Sequence, residues 1–493
     1  VFDVELPLFV ETVVLVVDFT IKALAIGIVP ENRRPSSSSA WLLLILFLPL
    51  VGLPLFLLLG SSRVNNRRHR IQAQANALLD DGLAHLPTVP PGLELPPGVE
   101  SMMALNRRLT SLPCVPGTVE EVLTDYHGML ADIAAAIDGA TRYVHVQTYI
   151  ARWDEASDPV FAAMARARAR GVEVRLLIDH LGSRRYRGYR RTKKRFKEAG
   201  FTWHLMLPID LLRLRWRRLD LRNHRKVIVV DGRLGYVGSL NLIAPHYGTD
   251  VPGGTKREWL ETVVRVSGPI VASLESVFAV DWYTECAELL DAQTYLPEAG
   301  SSPDLAIGGP VNALQVVPSG PGFQTQPNQR LFTSLIHRAQ RELLIVSPYF
   351  VPDESILEAV TTAAHRGVRV ELFVSERADQ FVVQHAQASY YTVLLEAGVR
   401  IHRYPAPFVL HAKFLTVDDE VAVIGSSNMD MRSFGLNYEI SLMGAAGDMP
   451  ARLRRIAAAY RGPSAELSLA DWETRPWLRR YTENVARLTS ALQ

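Results

Sequence analysis

Residues 224–241 read HRKVIVVDGRLGYVGSLN, and residues 411–428 read HAKFLTVDDEVAVIGSSN. Each is His-x-Lys-x4-Asp followed by a glycine, a serine and an asparagine at one spacing. The first copy gives His224, Lys226, Asp231, Gly238, Ser239 and Asn241; the second gives His411, Lys413, Asp418, Gly425, Ser426 and Asn428. Each residue stands 187 positions from its counterpart. Six positions kept in register are hard to reach by chance, so the chain reads as a duplication with one half-site per copy.

The surroundings repeat as well. Tyr143 to Ile150 and Val172 to Asp179 read as strands around an alanine-rich helix, Pro159 to Arg170, that stops at Gly171. Leu343 to Tyr349 and Val368 to Ser375 read as strands around a helix, Glu354 to Arg366, that stops at Gly367. In both copies the motif opens a strand-turn-strand unit with an acidic turn at Asp231 or Asp418. Alternating strands and helices predict an α/β fold of two similar α/β/α lobes, packed face to face and pseudo-symmetrically, over 118–300 and 301–493. The join falls near 300, in a stretch rich in glycine and proline. Residues 61–117 read as a connector with two Pro-Pro pairs, in which Met102 to Leu112 suits a short helix.

Two imidazoles, two ammonium groups and two amides suit attack on a phosphodiester. A neutral histidine can form a phosphohistidine, and a second, protonated one can hand its proton to the leaving alkoxide. Lys226 and Lys413 would neutralise the non-bridging oxygens, with Asn241, Asn428, Ser239 and Ser426 adding hydrogen bonds. His and Lys two apart on extended backbone share a face. Asp231 and Asp418 complete the motif and, at the turn, are expected to cap and brace it. A histidine that passes through imidazolium needs a carboxylate to orient it. Glu261 and Glu439 are the candidates, and the sequence leaves open which serves which. His145, His180 and His246 read as structural or exposed, and no metal-like cluster or nucleotide-binding glycine loop stands out.

Ala40 to Gly60 is uncharged and of span length, and Leu8 to Val29 is apolar except for Glu11, Asp18 and Lys22 on one face. Both are predicted as transmembrane helices, making 1–60 a two-span segment; an interfacial helix is the alternative for the first. Arginines after the second span (Arg63, Arg67, Arg68 and Arg70) outnumber those between the two (Arg33 and Arg34), which places the large remainder in the cytoplasm. The stretch 212–223, LRLRWRRLDLRN, interleaves arginines with apolar residues and reads as a lip for anionic headgroups. Trp472 to Leu492 is similarly amphipathic, equally explained by core packing. The formal net charge of +2 names no partner, and Cys114 and Cys286 suggest no disulfide.

With these features the chain resembles the phospholipase D superfamily and, within it, bacterial cardiolipin synthases. The resemblance rests on the doubled motif, the apolar N-terminal pair joined by NRRPSS (32–37), DLRNHRK (220–226), VPSGP (317–321) and SPYFVP (347–352). Glu261 stands where an aspartate would be expected. The resemblance implies a membrane-bound phosphatidyltransferase in the inner membrane. It would join two phosphatidylglycerols into cardiolipin and glycerol through a phosphatidyl-histidine, with neither metal nor cofactor. It also implies that His224 is the nucleophile and His411 the acid/base, which the local sequence does not separate. Its partners would be phosphatidylglycerol and anionic lipids, not nucleic acid; oligomeric state stays open. A hydrolase or headgroup-exchange enzyme would use the same residues. A tethered nuclease would want a long basic groove, and a lipid-binding scaffold would not need intact histidines.

Overall fold

The computed structural model describes residues 8–31, 35–60, 66–83, 86–209, 220–248, 257–290, 310–323 and 325–490. The chain forms two compact units. One is helical, within residues 1–66 and a short stretch ending at Asp220; the other holds the rest.

In the larger unit, sixteen strands among the described residues share one sheet. Its middle is an antiparallel pair, Val115–Leu123 against Val311–Ser319. From that pair the two halves run outward in matching order. On one side come Val263–Ser267, Leu234–Gly238, Val227–Val230, Tyr143–Thr148, Glu173–Asp179 and Thr202–Met206. On the other come Asn437–Ala445, Val421–Gly425, Phe414–Val417, Glu342–Val346, Arg369–Ser375 and Arg400–Tyr404, with Ala465–Leu467 added at the edge. An antiparallel pair has a local two-fold between its strands, so this joint sets the pseudo-symmetry.

The strands are apolar on both faces because both are covered. Ile228 and Val230 pack outward with the helices Tyr126–Asp138 and Asp158–Ala169, while Val227 and Val229 point into a central core. In the second half, Leu343 and Ile345 pack outward with Pro327–Arg338 and Glu354–His365, while Leu344 and Val346 join the same central core. The helices Ile270–Cys286 and Met449–Arg461 bury their apolar sides there too. The lobes therefore share one interior as well as an edge. Gly171 and Gly367 take φ of +89° and +86° just past their helices, the left-handed turn both stops require.

The expected connector is more structured than its proline content suggested. Helix Val99–Thr110 docks through Asn106, whose Nδ2 donates to Gln315 Oε1 at 3.0 Å, and sheet structure begins at Val115 rather than after 117. The join near 300 lies outside the described residues.

The N-terminal expectation needs correction. No helix among the described residues is long and apolar enough to cross a membrane. Leu8–Ile28 is one helix of 21 residues, but it carries three charged residues, with Lys22 Nζ 2.7 Å from Asp18. The second segment is not continuous: Pro35–Phe47 and Pro49–Leu55 are separated at Leu48, and a π-helical turn, Phe56–Gly60, follows. Leu48 (φ −133°, ψ 66°) precedes Pro49, whose ring drives its neighbour out of the helical region. The turn lets Gly52 lie against the backbone of Leu44 and Ile45, where a Cβ would not fit. Ala25, Val29, Ile45 and Phe56 form the small core of this unit.

Candidate active site

The two motifs are delivered by a crossover between lobes. Arg222–Asn223 pairs in parallel with Asn437–Tyr438 of the second lobe, and Phe408–Leu410 pairs in parallel with Glu258–Leu260 of the first. The next N–H continues each ladder: His224 donates to Tyr438 O and His411 to Leu260 O, both at 2.8 Å. Each histidine therefore enters beside the residue preceding the other lobe's glutamate. His224 Nδ1 lies 3.0 Å from Glu439 Oε2, and His411 Nδ1 lies 2.8 Å from Glu261 Oε2. The pairing left open by the sequence is crossed.

Each carboxylate accepts from Nδ1–H, which leaves the lone pair on Nε2. Neither Nε2 has a hydrogen-bond partner among the described residues. Lys226 and Lys413 reach back to the carbonyls of His224 and His411 at 2.7 and 2.5 Å, with further N–H groups to spare. Ser426 Oγ donates to Glu439 Oε2 at 2.5 Å and accepts from Ile440 N at 3.0 Å; Ser239 Oγ accepts from Thr262 N at 2.9 Å. Asn241 donates to the Tyr247 hydroxyl, and the Oδ1 atoms of Asn241 and Asn428 are buried without a partner. Tyr149 stands edge-on to His224 (5.1 Å between centroids) and Trp259 edge-on to His411 (4.7 Å).

All six ionisable groups are buried, and burial sets their titration. It pushes His224 down to about 4, against the pull of Glu439, and lowers His411 well below its usual value, helped by both lysines and by His224. Both imidazoles are therefore neutral at rest. Burial also brings Lys226 down to about 7 and Lys413 to about 8, the glutamates opposing it. Glu261 is raised by burial to about 7, with Lys413 and Ser239 opposing. Burial acts on Glu439 in the same direction, but His224, Lys226 and Ser426 outweigh it and its pKa ends lowered. The halves differ here because His224, through its charge and its hydrogen bond, is the largest influence holding Glu439 ionised, whereas Glu261 is opposed only by the lysines and Ser239. These mutual effects, across lobes, place both histidines and both lysines in one cluster.

Asp231 and Asp418 are not brought to the imidazoles. Each lies at the far end of the strand that follows its lysine, five residues past the lysine and seven past the histidine, up to roughly 20 Å from the imidazole. Asp231 accepts from the N–H groups of Thr141, Arg142 and Tyr143 at 2.8–2.9 Å, and Asp418 from Gln340, Arg341 and Glu342 at 2.7–2.8 Å. They brace the turn against the start of a neighbouring strand. His145 is buried against Glu275, His180 Nδ1 accepts from Ile209 N, and His246 is exposed. Arg213, Arg215, Trp216, Arg217 and Arg218 of the expected lip lie outside the described residues.

Sequence reasoning missed Arg225. It is buried, donates through Nε to Glu439 O (3.0 Å) and through Nη2 to Ser319 O (3.1 Å), and pairs with the buried Asp281. It occupies the x of His-x-Lys, where alternation turns it away from the imidazole. The signal available was the contrast with Ala412 at the equivalent place.

A family model described as "Cardiolipin synthase, PLD-like domain" matches residues 133–282 and 332–457, and one described as "Phospholipase_D-nuclease N-terminal" matches 19–61. Over 484 residues the chain is 32% identical to a cardiolipin synthase of Alkalihalophilus pseudofirmus, covering 97% of this chain and 93% of that one. It is 31% identical over 469 residues to cardiolipin synthase A of Proteus mirabilis, covering 94% of each. Among solved structures, the phosphatidylserine synthase of Haemophilus influenzae superposes with a TM-score of 0.57 at 16% identity, covering 80% of this chain and 99% of that one, a likeness of fold.

Proposed function

This chain belongs to the phospholipase D-like cardiolipin synthase family, and from that premise we propose that it joins two phosphatidylglycerols into cardiolipin, releasing glycerol. The observation that carries the chemistry is the crossed pairing: two buried histidines, each oriented by the other lobe's glutamate, with both lysines in the same cluster.

The neutral Nε2 of His224 attacks phosphorus of the first lipid. The N–P bond forms as the P–O bond to glycerol breaks, and His411, as imidazolium, gives its proton to the departing oxygen. The bound phosphodiester supplies the negative charge that raises His411 from its low resting value into that protonated form. The terminal hydroxyl of a second lipid then loses its proton to His411, attacks phosphorus and releases His224. Lys226 and Lys413 neutralise the non-bridging oxygens throughout. Glu439 and Glu261 hold the imidazoles and stabilise their positive charge.

The N-terminal unit suits attachment to a membrane, since Phe9, Leu15, Phe19, Leu43, Phe47 and Leu50 all present apolar surface outward. The deciding experiment incubates purified protein with labelled phosphatidylglycerol in vesicles and resolves the lipids. Cardiolipin with free glycerol is expected; phosphatidic acid alone would make the protein a hydrolase and overturn the reading.

A further inference from the structure

The helix Trp477–Arg487 is amphipathic in reverse. Its protein-facing side buries Glu483, held by Arg475 and Arg479 at 2.9 and 3.1 Å, and Ala486. Its outer side carries Trp477, Leu478, Tyr481, Val485 and, at the C-cap, Leu488, which at about 100° per residue share an arc of roughly 100°. Trp477 is 70%, Tyr481 61% and Leu488 84% exposed. Core packing therefore does not account for the apolar stripe. Arg480 and Arg487 flank it on one edge and are exposed.

The surface continues onto a neighbour and leads to the catalytic cluster. Helix Phe381–Ala388 packs against Trp477–Arg487, and its first residues, Phe381 and Val382, are also exposed. Two residues before Phe381, Asp379 accepts from the Tyr349 hydroxyl at 2.5 Å, and its carbonyl accepts from Arg257 at 3.1 Å. The same helix packs against the strand Phe350–Val351, whose partner strand Met429–Asp430 directly follows Asn428 of the second motif. The exposed apolar surface thus begins at the rim of the site.

We propose that Trp477–Leu488, with Phe381 and Val382, is a docking surface for an anionic phospholipid bilayer, placing the catalytic cluster close to the layer that holds its substrate. The proposal rests on the lipid reading above. An aromatic and aliphatic face flanked by arginines matches a headgroup boundary: rings and chains enter the acyl edge while guanidinium groups meet phosphates. A second copy of this chain would bring like-charged arginines together instead.

The test uses the full chain in phosphatidylglycerol liposomes. With Cys286→Ser as background, a polarity-sensitive fluorophore is attached at Tyr481→Cys or, as control, at Glu358→Cys, exposed on the helix Glu354–His365, which carries no lysine or arginine. Lipids bearing a nitroxide near the headgroup should quench the label at 481 at least about fivefold more than that at 358. Equal quenching at the two positions would overturn the proposal. So would an emission shift at 481 that follows protein concentration in detergent without lipid, which would mean a second copy covers the face. The measurement is repeated in His224→Ala. It reads contact rather than turnover, so failure of the synthase reading would leave it standing.

Discussion

At the scale of residues, the site works by borrowing. Glu439 contributes nothing to its own lobe's histidine and orients His224, and Glu261 does the same for His411. Glu439→Gln and Glu261→Gln should each lower kcat by roughly 10²–10⁴-fold with little change in KM, because orientation and imidazolium stabilisation are lost while lipid contacts stay. Steady-state kinetics on mixed micelles decide it; a loss confined to KM would argue against an orienting role. The lysines set the pH response. As pH rises through about 7 and about 8, Lys226 and Lys413 lose their protons, and with them the charge that neutralises the phosphoryl oxygens. On the acid side His224 stays neutral down to about 4. The profile of kcat/KM should therefore fall on the alkaline side well below the ordinary lysine value, and a rate still climbing at about pH 10 would contradict this. Arg225 is a positioning residue, since it holds the carbonyl of Glu439 while Asp281 neutralises it. Arg225→Met should cost about 3–5 kcal/mol by leaving the buried Asp281 unpaired, and adding Asp281→Leu should recover much of that. Thermal unfolding of the single and double variants measures both.

At the scale of elements, the sequence displayed what repeats and hid what crosses. The strand-helix-strand order was legible because β-branched runs alternate with glycine-stopped helices, and the observed boundaries sit within a few residues of those read. The pairing of Arg222–Asn223 with Asn437–Tyr438 was not legible, because two-residue ladders between lobes leave no periodicity. The break at Leu48 could have been read from Pro49, yet the length and apolarity of 40–60 argued for one continuous helix. The motif's aspartates belong to this scale. Asp418→Ala would orphan the N–H groups of Gln340, Arg341 and Glu342, the last of them buried, so it should destabilise by about 1–3 kcal/mol while kcat of the folded enzyme changes little. A large kcat loss at unchanged melting temperature would instead return Asp418 to the chemistry. The motif's glycines mark close approach: a Cβ at Gly425 would overlap the carbonyl oxygen of Ile440, next to Glu439, and one at Gly238 that of Thr262, next to Glu261. These positions explain why glycine recurs in both copies at the same spacing.

At the scale of the whole molecule, duplication has produced one site rather than two. The shared edge, Val115–Leu123 with Val311–Ser319, and the shared central core fix the lobes to each other. Each lobe carries a complete motif, yet neither holds a histidine together with the carboxylate that orients it. On the proposed mechanism the catalytic unit is one chain, in which both half-sites must be intact together. His224→Ala and His411→Ala should each abolish cardiolipin formation. Mixing or co-expressing the two inactive variants should restore nothing, because the intact His411 of one chain and the intact His224 of another would lie in separate clusters. Activity recovered on mixing, with a dependence on total protein concentration, would mean that chains exchange lobes or build the site across a dimer. The crossed pairs would then have to form between subunits, and the shared core described here would not be the one that matters for catalysis.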